Sequence, residues 1–451
     1  MKNFKSMSAL LLATALVSCS GNKPAETHEA YRINKFENDP YVAEVWWGQD
    51  YDEAAAVAYL DGRFHYLDTV AATSQEASAI EQETASSAAT EQPQGLCSSW
   101  RKGDYHGRNI DWTMQDFVSL VIHMPKIGDH HAWVGVIAGA PSCNKDLVDQ
   151  NEMIPEQMRA YLPTMVVDGI NDCGVCINHN IVPYDQKLKP AYAETGDIVS
   201  SQLVAHVLSN CATAAAAVEE FQNHTKVAQS IVKIAHDYSH FLLSDPTESY
   251  VLEWVNNEYV ATRFTRAEDD MFRSANGNPA IMTNFFVAEG EKYGVGTQEF
   301  YVHHPMAAGV ERYNVIAEML PAAQTEEDHM NICRAVWYKP FCEGDRFWPT
   351  ENAGNYGLDT EKGKAYWYWP TPDDIHYMET DSIYAAAVEM LGSEGFQSYF
   401  VDFKANHNKL EKGNGYWYTQ HSVVFNIKER SCAFIGMEGQ FCADIKHFTV
   451  D

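Results

Sequence analysis

Apolar and polar positions alternate along this chain in short runs, and the runs predict strands with a few helices between them. Val42 to Gly48 reads as a strand, and Glu53 to Leu67 has an Ala-rich helical pattern that ends in aromatics. Ser98 to Lys102 and Tyr105 to Asn109 read as a hairpin, with Gly103-Asp104 as its turn. Phe117 to Met124 and His131 to Ala138 are short, β-branched and partly alternating. A polar connection over 141–160 follows, and Pro163 to Asp168 then leads into Asp168-Gly169-Ile170-Asn171-Asp172-Cys173-Gly174, a turn between strands. Val199 to Leu208 and Thr213 to Phe221 are helical by pattern. His236 to Ser244 and Tyr250 to Val255 form another hairpin around Asp245-Pro246. Gly309-Val310-Glu311-Arg312-Tyr313 opens an amphipathic stretch, and Ile383 to Leu391 looks helical. Trp417 to Ile427 and Ser431 to Gly436 read as closing strands.

Three stretches break the pattern. Residues 73–95 are dominated by Ser, Thr, Ala, Glu and Gln, a composition that does not pack a core. Residues 340–380 are rich in Trp, Tyr, Pro, Asp and Gly, which weakly suggests an apolar pocket. The N-terminus reads as a targeting segment: Lys2 and Lys5 are followed by an apolar run from Ala9 to Val17. Leu16-Val17-Ser18-Cys19 matches a bacterial lipobox, so Cys19 is the expected site of lipidation. Residues 1–19 are then a lipoprotein signal peptide, 20–96 a tether and pro-segment whose first part (20–40) is polar, and 97–451 the folded domain. The expected address is an exported, lipid-anchored protein, with Ser20 favouring the outer membrane in a Gram-negative host.

Composition narrows the class. Apolar residues at 45% and aromatics at 12% of 451 residues describe a globular chain with a sizeable core. Acidic residues outnumber basic ones 62 to 32, and the net charge of −30 argues against nucleic acid as a partner. Ten cysteines in an exported chain make disulfides possible, with Cys333 and Cys342 the local pair to test.

The chemistry concentrates in the hairpin. A two-residue turn pairs Cys97 with Ile110 and brings the thiol close to Asn109 and Asp111, with Arg108 just beyond. A guanidinium favours thiolate, and a carboxylate orients a donor. Arg108 and Asp111 have opposite parity, so both reach Cys97 from one face only if the chain bends after Asn109.

Cys97-Ser98-Ser99 followed by Gly107-Arg108-Asn109-Ile110-Asp111 resembles the start of the mature chain in the choloylglycine hydrolase family. These are N-terminal-nucleophile amidases: bile salt hydrolases, penicillin V acylases and, more distantly, acid ceramidase-like enzymes. The Asp168-Gly169-x-Asn171 turn, the Thr283-Asn284 pair, Glu311-Arg312-Tyr313 and the strand Trp417-Tyr418-Thr419-Gln420-His421-Ser422 extend the resemblance to roughly Gly436. The resemblance implies a cut between Leu96 and Cys97 that makes Cys97 the first residue and the nucleophile. Arg108 is then expected to favour the thiolate and Asp111 to hold the new α-amine. Asn284 and an asparagine of the next strand (Asn180, with Asn178 on the same face) are expected as oxyanion donors, and Arg312 completes the charge network. The implied fold is α+β: a four-layer αββα sandwich of two antiparallel sheets flanked by helices. The implied reaction is hydrolysis of a linear, non-peptide C–N amide in a small molecule, without a cofactor. Fragment 20–96 is expected to be able to stay docked, and oligomer formation is left open. An acyltransferase on the same fold, or a surface lipoprotein that binds a ligand without catalysis, are the alternatives. The chain departs from the family's pattern in Cys-Ser for Cys-Thr, in Leu rather than Gly before the cysteine, and in a shorter span from Cys97 to Arg108.

Other constellations are weaker. Cys173-x-x-Cys176 lacks a second such pair or a nearby histidine pair, so no metal is expected. His236 and His240 sit in an alternating stretch, and His130-His131 and His303-His304 read as surface loops. There is no Gly-rich phosphate loop and no Gly-x-Ser-x-Gly elbow.

Overall fold

The computed structural model describes residues 31–36, 39–48, 51–52, 55–56, 96–113, 119–137, 162–182, 198–199, 202–227, 238–256, 258–304, 307, 309–336, 357–359, 364–368, 375–377, 417–436 and 445–450. The strands in chain order begin with β1 (Tyr31–Phe36), β2 (Asp39–Trp47), β3 (Leu96–Lys102), β4 (Tyr105–Thr113), β5 (Ser119–Met124), β6 (Trp133–Ile137) and β7 (Asp168–Asn171). They continue with β8 (Cys176–Val182), β9 (Ile198–Val199), β10 (Thr225–Val227), β11 (Tyr238–Ser244), β12 (Glu248–Val255), β13 (Glu258–Arg266) and β14 (Phe272–Arg273). The last are β15 (Ile281–Met282), β16 (Gly357–Asp359), β17 (Lys364–Tyr368), β18 (Ile375–Tyr377), β19 (Trp417–Asn426), β20 (Ser431–Gly436) and β21 (Lys446–Thr449). The helices are α1 (Leu203–Asn210), α2 (Ala214–His224), α3 (Val287–Tyr293), α4 (Gln298–His303), α5 (Val310–Met319) and α6 (Glu326–Ala335).

Two sheets dominate. One has ten strands in the order β1-β2-β5-β6-β7-β8-β11-β12-β13-β14; the other has six, in the order β15-β3-β4-β19-β20-β21. Pairing within them is antiparallel except between β2 and β5. The cores explain why both sheets are apolar on two faces. Val121, Val134, Val136, Ile170 and Cys176 of the large sheet meet Val423, Phe425, Cys432 and Phe434 of the small one. The opposite face of the large sheet (Leu120, Ile122, Trp133, Ile177) packs on Leu203, Leu208 and Phe221 of α1 and α2. The outer face of the small sheet (Trp100, Val424, Ala433, Ile435) packs on Val310, Ile316, Met330 and Ile332 of α5 and α6. The fold is therefore the α+β, four-layer αββα sandwich, helix–sheet–sheet–helix.

Both predicted hairpins and the paired helices of 199–221 form within a few residues of expectation. The tether does not extend to residue 40. Residues 31–36 form β1, which pairs with β2, and β2 continues the ten-stranded sheet. Residues that precede Cys97 thus build part of the main sheet. The 340–380 stretch contributes β16, β17 and β18, a small antiparallel sheet of its own. Lys446–Thr449 adds an edge strand that the sequence pattern did not flag. His304 is no surface residue: it is fully buried, and its Nε2 accepts the Phe286 backbone N–H at 3.1 Å. Cys19, residues 73–95, 141–160 and Ile383 to Leu391 lie outside the described residues, as does most of Glu53 to Leu67. Cys342 does too, and Cys333 is a buried free thiol whose sulfur lies 3.9 Å from the Arg108 carbonyl. Among the described residues no helix is long and apolar enough to cross a membrane.

Candidate active site

The β3–β4 hairpin closes as its two-residue turn dictates, with Lys102 opposite Tyr105 and Gly103 at a φ of +55°. Cys97 faces Ile110 and Ser99 faces Arg108. Paired residues share a face, so Cys97, Ser99, Arg108 and Ile110 point between the two sheets. Ser98, Asn109 and Asp111 point to the helix layer.

Between the sheets, Arg108 is the hub. Its Nε donates to Asp168 Oδ1 at 2.8 Å, its Nη2 to the His179 carbonyl at 2.7 Å, and its Nη1 to the Asn109 carbonyl at 2.9 Å. Nη1 also donates to Asn180 Oδ1, and the guanidinium interacts electrostatically with the Cys97 side chain. Burial alone lowers the Arg108 pKa, but Asp168 and Cys97 outweigh it and the net shift is upward. Asp168 is fully buried, and burial works against its charge; Arg108 and His421 reverse that and hold its carboxyl below the usual range. His421 donates from Nε2 to Asp168 Oδ2 at 2.7 Å, and burial pulls the imidazole pKa down, so it stays neutral near pH 7. Asn180 accepts from Ser99 Oγ at 3.3 Å and donates to the carbonyls of Met282 and Thr283, both at 3.3 Å.

On the helix side, Arg312 holds the backbone of the same cysteine. Its Nη1 donates to the Cys97 carbonyl at 2.6 Å and to Ser98 Oγ at 3.1 Å, and lies 3.5 Å from Asp111 Oδ2. Its Nη2 donates to Asn284 Oδ1 at 2.6 Å. The same Asn284 oxygen accepts the Cys97 backbone N–H at 2.8 Å, while Asn284 Nδ2 donates to the Ile181 carbonyl at 2.6 Å. Thr419 Oγ1 donates to Asp111 Oδ1. Gly309, at a φ of +78°, caps α5 where a Cβ would sit 2.5 Å from Arg312 Nη2, so a side chain there would displace the guanidinium.

Of the expected residues, Arg108, Asn180, Asn284 and Arg312 gather with Asp111 around Cys97. The bend expected after Asn109 does not occur. The irregularity lies in the partner strand, where β19 slips a residue between Thr419 and His421. Asp111 therefore stays on the helix face and meets Arg312, while Arg108 meets the thiol from the other face. Asn178 lies apart, with its Nδ2 donating to His106 Nε2 at 2.6 Å. The oxygen on the Cys97 nitrogen belongs to Asn284, where Asp111 was expected. The Asn284 amide nitrogen, expected as an oxyanion donor, binds the Ile181 carbonyl. Asp168, His421, Ser99 and Thr419 are additions from stretches that carry the resemblance, where the sequence assigns these residues no role. A carboxylate heading the Asp-Gly turn and a histidine inside a closing strand are the available signals.

The same interior makes an acid-stability prediction. His106, His179 and His329 are buried, and burial lowers the pKa of each to about 3. The unfolded chain binds a proton on each below about pH 6.5 and the folded chain does not, so stability falls as pH drops from about 6.5 towards 3. Between pH 7 and 5 each histidine removes about 2 kcal/mol. Urea unfolding at pH 7, 6 and 5 is expected to show this loss; equal midpoints at the three pH values would contradict it.

Residues 97–260 match the family model described as linear amide C–N hydrolases, choloylglycine hydrolase family. This segment belongs to the choloylglycine hydrolase family. It carries the hairpin, Arg108, Asp111, Asp168 and Asn180, and this choloylglycine hydrolase segment ends before Asn284 and Arg312. A comparison with curated proteins found no match. Among solved structures, a mutant conjugated bile acid hydrolase from Clostridium perfringens is similar at 12% identity, over 79% of this chain and 92% of that one, with a TM-score of 0.37. Penicillin V acylase from Agrobacterium tumefaciens is similar at 11% identity, over 76% and 82%, with a TM-score of 0.30. The sheet order and the cores define the architecture of the choloylglycine hydrolase segment and its surroundings.

Proposed function

We propose that the protein hydrolyses a linear, non-peptide C–N amide, with the Cys97 thiol as nucleophile and a thioester as intermediate. The observation that carries this reading is the hold on one buried cysteine, with Asn284 on its nitrogen and Arg312 on its carbonyl, beside the buried charge of Arg108. A structural cysteine needs no such arrangement. Cleavage of the Leu96–Cys97 bond frees an α-amine, a group that ordinarily titrates at about 7.7–8.0. That amine takes the thiol proton, and the thiolate attacks the amide carbon. The C–N bond then breaks as the α-ammonium returns the proton to the departing amine. Water attacks the thioester, releasing the acid and restoring the thiol. Arg108 supports the thiolate. Asn284 Oδ1, already on the Cys97 nitrogen, orients the amine.

Fragment 20–96 has a reason to remain after the cut. β1 and β2 lie within it, and β2 pairs with β5 from Val42–Ser119 to Trp46–His123. The anchor at Cys19 would then hold the catalytic chain at the membrane through a sheet rather than a peptide bond. Conjugated bile acids, aryl-acetyl amides of the penicillin V type and fatty N-acyl amides are the candidate substrates. A panel of the three, read by free-amine release with and without an added acceptor amine, tests the reaction. Free acid is the expected product; transfer to the acceptor would favour the acyltransferase, and no turnover of any class would favour the ligand-binding lipoprotein.

A further inference from the structure

The Cys173-x-x-Cys176 pair does not act as a pair. Cys176 is buried between the sheets, beside Ile170 and Val423. Cys173 sits in the β7–β8 turn and faces different company. Its sulfur lies 3.5 Å from His131 Nδ1 and 3.9 Å from His131 Nε2. His131 Nδ1 lies 2.8 Å from Asp172 Oδ1. One ligand atom from each of the three residues falls within 4.8 Å of the other two.

We propose that His131, Asp172 and Cys173 form a binding site for a divalent transition metal, with zinc the ion that fits best. A metal at about 2.0–2.3 Å from nitrogen, oxygen and sulfur spaces tetrahedral ligands by roughly 3.3–3.6 Å. The sulfur–nitrogen separation already has that value, but the sulfur lies nearly as close to Nε2 as to Nδ1, so on binding the imidazole turns to aim Nδ1 at the ion and the carboxylate shifts outward. The donor set of imidazole, thiolate and carboxylate selects zinc, cobalt or nickel over magnesium and calcium, which prefer oxygen. Three protein ligands leave a fourth position for water, and partial exposure of His131 (19%) and Asp172 (29%) gives the ion a way in.

The backbone holds the ligands in place without using their ligating atoms. The Asp172 N–H donates to the Ala132 carbonyl at 2.9 Å, and the His131 N–H to the Ser209 carbonyl at 2.8 Å. Asn171 Oδ1 accepts from the Cys173 and Val175 N–H groups, while its Nδ2 donates to the carbonyls of Leu208 and Cys211. Two segments far apart in sequence are thus fixed at one spot. A catalytic triad is the rival use of these residue types. It needs the thiol and the carboxylate on different imidazole nitrogens, and here both lie nearest to Nδ1. On binding, the Cys173 S–H bond breaks, its proton passes to solvent, and a metal–sulfur bond forms. The ion clips the β5–β6 loop to the β7–β8 turn.

Cobalt(II) is the probe, added to the reduced, metal-free protein. One equivalent is expected to produce a thiolate-to-cobalt charge-transfer band that zinc displaces. The band is expected to disappear in Cys173→Ser and in His131→Ala, and to persist in His130→Ala and Cys97→Ala. Zinc is expected to raise the thermal midpoint of the parent and not of Cys173→Ser, a readout independent of amide hydrolysis. Absence of the band in the parent, its survival in Cys173→Ser, or an equal zinc effect on both midpoints would overturn the assignment.

Discussion

Replacing Cys97 by alanine is expected to abolish amide hydrolysis and leave the fold in place. Cys97 is 2% exposed, and its side chain shares the inter-sheet face with Arg108, whose charge it supports. Losing a nucleophile held within a cooperating set typically costs roughly 10⁶-fold in kcat. Losing one buried sulfur costs about 1 kcal/mol of stability. The remaining contacts of Arg108 with Asp168, Asn180 and His179 do not depend on it. The two effects therefore separate: turnover of a responsive amide vanishes while the urea midpoint moves little. Residual turnover within tenfold of the parent would mean that the thiol is not the nucleophile.

Replacing Arg108 by leucine is expected to damage both stability and turnover. The guanidinium is the cationic partner of a fully buried carboxylate, and its loss leaves Asp168 with His421 on the other carboxylate oxygen. Breaking one side of a buried ion pair costs about 3–5 kcal/mol. The pH dependence has a definite sign. With Arg108 present, the Asp168 pKa is depressed, so its contribution is complete above about pH 4 and is lost as pH falls through the folded value. Without Arg108, burial raises that pKa, and the variant is then weakest at neutral pH and recovers, relative to the parent, on mild acidification. The double variant Arg108→Leu, Asp168→Asn removes the stranded charge and is expected to regain most of the loss. Urea midpoints of the four proteins at pH 7 and 5 form the cycle. Additive losses would mean that the two side chains are energetically independent, contrary to the 2.8 Å contact.

The parts of the fold legible in the sequence are those set locally. The two-residue Gly103-Asp104 turn sets the register of the nucleophile hairpin, and Cys97 does face Ile110. The helical pairing of Val199–Leu208 with Thr213–Phe221 follows from periodicity alone. Register between distant strands is not legible. Asn178 and Asn180 alternate identically, and the packing of β8 against β3 and β4 decides that Asn180 meets Ser99 and Arg108 while Asn178 meets His106. The roles around Cys97 divide for a similar reason. Parity separates Arg108 from Asp111, but it does not reveal that Arg312 waits on the helix side to link Asp111 to the Cys97 carbonyl. β1 is masked by its setting: Tyr31-Arg32-Ile33-Asn34 alternates as a strand does, but the run is short and lies within the polar stretch 20–40. The His131–Cys173 meeting is invisible there because 42 residues separate them.

The most direct test of the central claim, that Cys97 becomes the N-terminal nucleophile, is intact mass with N-terminal sequencing of the protein expressed from Ser20 onward, beside its Cys97→Ala twin. A new terminus at Cys97 in the parent, with the twin uncut and fragment 20–96 retained beside the parent through β1 and β2, is the predicted result. A parent that stays as a single uncut chain, or a twin cut at the same bond, would contradict it.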